Sequence, residues 1–288
     1  LKQDTGVTFD LVGMDACLMG MVEVAYQIKD LCKVMVASEE SVPWDGWDYG
    51  FLSEIKPGSD LSPKELAMHI VNYFYNSYTD GKPDPEDESS ITLSAVDEAK
   101  FDDGFVASLN SLAQLLIGSM EHSKSKVYNA YVSSYRMQDY WSYVDLKDFM
   151  LALKAQNISE AISAAAQQVA STEDDVVYYC RSGAGLPYCY GLSIYFETQQ
   201  DSYDKRYDGD QGFLNFTADT FWDEVLRSYY NPSATAPEID FDPLPDTENF
   251  NEEITLSCFI HSELPLADGK PLVYYCLLYT SDAADELD

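Results

Sequence analysis

A cysteine placed directly after a short apolar run is where this sequence first offers chemistry. Cys17 follows Val7–Ala16 (VTFDLVGMDA), which suits a buried parallel strand, and it opens CLMGMVEVAYQIKD, where Leu18, Val22, Ala25 and Ile28 fall near helical spacing. At the first turn of a helix, backbone N–H groups and the helix dipole converge on a thiol and favour the nucleophilic thiolate. At the carboxyl end of a parallel strand the thiol also faces the crevice where open α/β sheets bind ligands. The residues alone leave a second reading open, that Cys17 is a small buried core residue, and general statistics favour it. A nucleophile also needs a base. The three histidines, His69, His122 and His261, all follow Cys17: one within a predicted helix, one near a helix end, one past a Pro-rich stretch. No CxxC or Cys/His cluster suggests zinc. No GxSxG elbow points to a serine hydrolase, because GLSIY at Gly191–Tyr195 lacks the second glycine.

The elements that must position Cys17 read as an α/β sheet. A second strand, Val34–Ser38, follows the first helix, so strand, helix and strand fit within about 32 residues, as crossover connections do. The acidic, aromatic loop Glu39–Tyr49 (EESVPWDGWDY) comes next. Ser62-Pro63-Lys64-Glu65 then opens a helix with a capping box and Pro at its first position, running to about Tyr78. Ile91–Val96 reads as a third strand, and Phe105–His122, Val144–Ala155 and Ile158–Ala170 as helices. Val176–Cys180 and Tyr190–Phe196 read as paired strands around a Gly/Pro turn, RSGAGLPY. Cys180 and Cys189 flank that turn, in reach of a disulfide in an oxidising compartment. Thr217 is placed to cap a last helix, Ala218–Tyr229.

Asn231–Asn251 (NPSATAPEIDFDPLPDTENFN) is a linker by composition, and residues 252–275 (with EEITLSCFIH and PLVYY) read as the start of a β-rich segment that is cut short. Cys276–Glu286 (CLLYTSDAADE) matches a translated sequencing adapter, so residues 276–288 are expected to be read-through. The opening LKQDTGVTFDLVG begins on Leu1 and reads as the middle of a domain, so an N-terminal truncation is expected as well.

Composition narrows the partners. Lys+Arg number 17 against 50 Asp+Glu, a formal net charge of −33, which repels nucleic acid and anionic membranes. It attracts basic peptides or Ca²⁺, or simply holds water. No run of about 18 apolar residues occurs, so no membrane span is expected. An adhesin or Ca²⁺-binding module finds little support: Asp201–Asp210 (DSYDKRYDGD) is acid-rich but carries Lys205 and Arg206 and lacks EF-hand spacing.

Larger pieces carry a resemblance. Asp10-Leu-Val-Gly-Met-Asp-Ala-Cys-Leu-Met-Gly20, Glu23-Val24-Ala25 and Ala37-Ser38-Glu39-Glu40 resemble the clostripain-like cysteine peptidases, family C11. Thr92–Asp97, Asp145–Phe149 and Gly191–Phe196 are similar to the same family, so the likeness spans roughly residues 8–228. It implies a caspase-like α/β/α sandwich over residues 1–230. It further implies Cys17 as the nucleophile, Asp15 at the base of the specificity pocket and Asp45 as a second acid there. The expected activity is an endopeptidase cutting after Arg or Lys by a Cys–His dyad, since carboxylates pair with guanidinium or ammonium groups. Capping the next helix is the alternative role for Asp15, and a place in an Asp-Gly turn that for Asp45. The backbone N–H of Cys17 is one expected oxyanion donor.

In this family the catalytic histidine precedes the cysteine. None of the three here does, so a missing N-terminal segment must supply it, and these 288 residues alone should be inactive. Either truncation or maturation cleavage between His and Cys accounts for that. The runner-up is a non-catalytic caspase-like relative that binds basic peptides through an acidic crevice. The resemblance also implies bacterial origin and a secreted or cell-surface location. No cofactor is expected, although the resemblance admits a structural Ca²⁺.

Overall fold

The computed structural model describes residues 6–56, 58, 60–80, 90–101, 103–138 and 140–232, together with the backbone of 238–241 and 258–261. Four strands form the central sheet in the order β1-β2-β3-β5: β1 Phe9–Gly13, β2 Cys32–Ala37, β3 Thr92–Asp97 and β5 Val177–Ser182. β1 and β2 run parallel, with Phe9 opposite Cys32 and Gly13 opposite Val36, and the short helix α1 (Val22–Ile28) makes the crossover. β2–β3 and β3–β5 are antiparallel, with a register shift at Ala95/Val96. Every residue of β3 and all of β2 but Lys33 are buried, as strands covered on both faces must be. β1 departs from expectation. Phe9, Asp10 and Gly13 are exposed, because among the described residues β1 pairs only with β2 and forms the sheet edge. An exposed ion pair, Lys33–Asp10 at 2.7 Å, sits on that edge.

Helices cover the sheet as an α/β/α sandwich. On one face α2 (Pro63–Thr79) packs Ala67, Ile70, Val71 and Phe74 against Val34, Val36, Leu93 and Ala95. Strand alternation turns Met35, Ser94 and Val96 the other way, toward α5 (Glu160–Val176), which contacts β3 and β5 and lies against α3 (Asp103–Ser133) and α4 (Leu146–Ala155). α2 opens as expected. Ser62 Oγ accepts from Glu65 N–H at 3.3 Å, and Glu65 Oε2 accepts from Ser62 N–H at 2.8 Å. α3 is longer than the periodicity suggests, 31 residues.

The hairpin expected around RSGAGLPY does not form. β5 pairs with β3, whereas β6 (Ser193–Tyr195) pairs antiparallel with β4 (Tyr143–Asp145) in a separate two-stranded sheet. Gly191 diverts the chain. Its φ of +121° and its approach to Ser94 and Val177, where a Cβ would lie 2.8 Å from either side chain, admit only glycine. Tyr190 N–H and Gly191 N–H are drawn instead to Asp145 Oδ2 (2.6 Å) and Glu39 Oε1 (3.0 Å). Cys180 and Cys189 are free thiols, and burial pushes the Cys180 thiol up to about 12.

Thr217 is likewise not a cap. It lies inside α6 (Asn215–Asp219) and donates to Leu214 C=O at 3.3 Å. The chain turns extended at Thr220 before α7 (Trp222–Tyr230) begins. Trp222, wholly buried, fixes α7 by donating from Nε1 to Tyr195 C=O at 2.9 Å.

The chain divides into two compact units after Pro237. In the second, β7 (Glu238–Phe241) pairs antiparallel with β8 (Cys258–His261). β7 therefore falls inside the stretch with linker composition. The presumed read-through, residues 276–288, lies outside the described residues.

Ser62→Ala removes one arm of the α2 capping box and should lower stability by about 1 kcal/mol. Urea denaturation should show a lower midpoint at unchanged slope.

Candidate active site

The turn that carries Cys17 is held by a short backbone ladder to the end of β2. Met14 N–H donates to Val36 C=O (2.9 Å), Leu18 N–H to Glu40 C=O (3.1 Å) and Gly20 N–H to Ser38 C=O (2.7 Å). DACLMG and ASEE are thus two rails of one structure. Glycine is required at position 20, because a Cβ there would lie 2.7 Å from Glu39 N and 2.8 Å from the Ser38 carbonyl carbon. Leu18 takes φ +58° to make the approach. This ladder delays the helix: α1 starts at Val22, with Met21 as its side-chain-free cap. Cys17 therefore sits on an exposed turn past β1 and not in the first turn of a helix, which corrects the helical reading from Leu18. Val42 N–H donates to Cys17 Sγ at 3.3 Å, and Val42 C=O faces the sulfur at 3.8 Å.

The acidic loop wraps the carboxylate two residues earlier. Asp15 Oδ2 accepts from Trp47 N–H (3.1 Å) and from the Tyr49 hydroxyl (3.0 Å), and this bond to a carboxylate raises the Tyr49 phenol's pKa. Gly46, at φ +66°, lies against the same oxygen, where a Cβ would come within 2.8 Å. Asp15 does not cap α1. Gly46 N–H closes a four-residue turn on Pro43 C=O at 2.9 Å, with Trp44 and Asp45 at its centre. From α2, Tyr78 donates to Gly46 C=O at 2.8 Å, and the buried Trp47 seats the loop against Gly13. Asp45 is exposed and lines an opening of about 370 Å³ with Gly46, Trp47, Asp48, Asn76, Ser77 and Asp80. The structure thus places Cys17 and Asp15 on one turn and Asp45 in the loop that cradles Asp15.

Beneath the turn lie acids that sequence reasoning quoted without giving them a role. Glu40, 3% exposed, accepts from the Tyr135 hydroxyl (2.7 Å) and Gln138 N–H (2.6 Å) through Oε1, and from Ser41 N–H (3.0 Å) through Oε2. Its C=O meanwhile holds Leu18. Glu39 is buried beside Asp145 and Glu173. Asp145 accepts from Asp148 N–H at 2.7 Å, capping α4, and from Tyr190 N–H. Burial pushes Asp145 up to about 7. Burial and then the neighbouring Asp145 charge raise Glu39 and Glu173. Desolvation and the Asp145 charge thus both favour the protonated form of Glu39. Two acids ending an apolar strand, as in VMVASEE, were the available signal.

The three histidines fall on three different elements. His69 is in α2 and His122 in α3, while His261 is in β8. Among the described residues the hydrogen bonds of Cys17 Sγ go to Val42. In the 201–210 stretch Asp204 is committed to Arg206 and Asp208 to the Tyr203 hydroxyl. Among the described residues no group of three or more His, Cys, Asp or Glu is placed to hold a metal ion.

Known proteins share this fold. A family model described as the clostripain family matches residues 1–229. A cysteine protease of B. fragilis superimposes with a TM-score of 0.56 at 19% identity, covering 76% of this chain and 91% of that one. A secreted C11 cysteine protease of Bacteroides thetaiotaomicron, solved with an irreversible peptide inhibitor, gives 0.53 at 16% identity, covering 76% and 60%. A clostripain from B. thetaiotaomicron ATCC 29148, solved with the peptide inhibitor BTN-VLTK-AOMK, gives 0.51 at 16% identity, covering 76% and 90%. No curated protein matches. The fold is the one these structures share.

The raised carboxylates set a pH dependence. A folded pKa above its unfolded value adds stability that is complete below the ordinary carboxylate range and lost as pH rises through the folded value, about 7 for Asp145. Thermal melts should therefore show a falling Tm from pH 5 to 8, and Glu39→Gln, which fixes the neutral partner, should flatten that slope. A Tm rising over this range would contradict the raised carboxylates.

Proposed function

Because the chain belongs to the clostripain family of cysteine peptidases, we propose that Cys17 is the nucleophile of an endopeptidase that cuts after Arg or Lys. The observation that carries this reading is the Asp15 carboxylate, fixed by Trp47 and Tyr49 on the same exposed turn as Cys17. A guanidinium or ammonium reaching Asp15 places its own carbonyl carbon over that turn. Asp45 adds a second negative charge on the loop. Charge pairing with these carboxylates is the basis of selection in this reading.

The chemistry then follows in two stages. The Cys17 thiolate adds to the carbonyl carbon, with the Cys17 N–H as one donor to the oxyanion. The amine leaves with a proton from the base, and water then cleaves the thioester, returning the thiol. The base in this reading is a histidine outside these 288 residues, since His69, His122 and His261 sit on α2, α3 and β8. It follows that this chain alone binds basic peptides without turning them over. That observation also favours the second reading, a non-catalytic binder of basic peptides, for the chain as it stands. Secretion fits the acid-rich composition and the secreted Bacteroides relative. Lysine at the end of the inhibitor sequence VLTK bound by another relative fits the proposed preference.

In protein extended upstream to include the histidine, Cys17→Ala should abolish hydrolysis of arginyl and lysyl peptides; full activity would overturn the assignment. Asp15→Asn in the same protein should lower kcat/KM for those peptides by roughly 10- to 100-fold, the worth of a charge-assisted hydrogen bond. A loss confined to Cys17 variants, with Asp15→Asn unchanged, would remove Asp15 from the specificity pocket.

A further inference from the structure

Trp44 carries the most exposed large apolar side chain among the described residues, with a relative exposure of 101%. The other three tryptophans are placed differently. Trp47 and Trp222 are buried, and Trp141 has the Arg136 guanidinium 5.3 Å from its ring centre. A fully solvated indole is an unusual surface feature, and aromatic side chains of this kind are enriched where proteins contact partners.

Its place on the loop gives it a direction of use. Trp44 lies two residues after Val42, whose N–H touches Cys17 Sγ at 3.3 Å, and three before Trp47, whose N–H holds Asp15 at 3.1 Å. The turn beneath it is firm, closed by Gly46 N–H on Pro43 C=O and pinned from α2 by Tyr78. The indole thus stands on a fixed platform between the residue that touches the nucleophile and the residue that holds the acid. Neither Trp44 nor Asp15 lines the opening of Asp45, Gly46, Trp47 and Asp48, and the indole stays wholly in solvent. Successive side chains of an extended peptide point to opposite sides. With the basic residue turned toward Asp15, the residue before it is the one left free to meet a platform outside that opening.

We propose that Trp44 forms an apolar subsite for the substrate residue immediately preceding the basic residue, taking an aromatic or branched aliphatic side chain. The proposal rests on the reading of Cys17 and Asp15 given above. It adds a second determinant of specificity, independent of charge and supplied by burial of apolar surface on both partners.

Calorimetric binding of acetyl-Ala-Phe-Arg and acetyl-Ala-Gly-Arg to the 288-residue chain tests it without requiring turnover. The chain should prefer the Phe peptide by roughly tenfold, the worth of partly burying such a side chain. Trp44→Ala should bind both peptides equally, at the affinity the unaltered chain has for the Gly peptide. Because the indole packs on nothing, the variant should melt at the unaltered temperature. Asp15→Asn should weaken both peptides and keep their ratio. A Trp44→Ala protein that retains the tenfold preference, or an unaltered chain that binds both peptides alike, overturns the subsite while leaving the Asp15 reading in place. If neither peptide binds the unaltered chain, both readings fall together.

Discussion

Two backbone hydrogen bonds, Leu18 N–H to Glu40 C=O and Gly20 N–H to Ser38 C=O, are what the rest of the site depends on. They pair the chain after β1 with the end of β2 in the reversed, antiparallel sense, Leu18 opposite Glu40 and Gly20 opposite Ser38. The chain after β1 is thereby kept out of a helix until Val22, and Cys17 is presented on an exposed turn. The same contact requires glycine at position 20 and a left-handed backbone at Leu18. Glu40 joins this ladder to the loop that follows: its carbonyl holds the Cys17 turn while its carboxylate is fixed by Tyr135, Gln138 and Ser41. Any shift of that loop is felt at both Cys17 and Asp15.

The acids of this chain divide into two populations with opposite physical roles. Among the described residues the larger set is exposed to solvent. A smaller set, including Glu23, Glu39, Glu98, Asp145 and Glu173, is buried. Desolvation favours their protonated forms, and Glu98 is pushed up to about 8. Buried neutral acids can hold backbone N–H groups at loop junctions without carrying an uncompensated charge into the core, as Glu39 does for Gly191. Asp15 belongs to the exposed set. Hydrogen bonds from Trp47 N–H and the Tyr49 hydroxyl orient one oxygen and leave the carboxylate in solvent's reach.

Local rules read much of this fold. The apolar run before Cys17, the short crossover and the Ser62–Glu65 capping box were legible because each depends on neighbours within a few residues. What escaped depends on distant contacts. The helical spacing from Leu18 to Ile28 carries no sign that Gly20 must lie against Glu39. The diversion at Gly191 depends on Ser94, Glu39 and Asp145, and β1 reads as buried until its place at the sheet edge is known. The Glu40 anchor was hidden for the same reason, since Tyr135 and Gln138 lie 95 and 98 residues further along. Cys17, Asp15 and Asp45 were assigned through a family resemblance; the structure puts Cys17 and Asp15 on one turn and Asp45 on the loop whose Trp47 N–H holds Asp15. Trp44 was passed over within EESVPWDGWDY, because an exposed tryptophan has no sequence signature separate from a buried one.

The most direct measurement is the site and rate of covalent labelling of the 288-residue chain by two acyloxymethyl ketone peptides, one ending in lysine and one in norleucine. Loss of the leaving group on attack by the thiolate marks the nucleophile, and mass spectrometry locates it. The geometry predicts modification at Cys17, with the lysyl reagent faster by roughly tenfold or more, as expected for one charge-assisted contact with Asp15. Labelling at another cysteine, or equal rates for the two reagents, would contradict it.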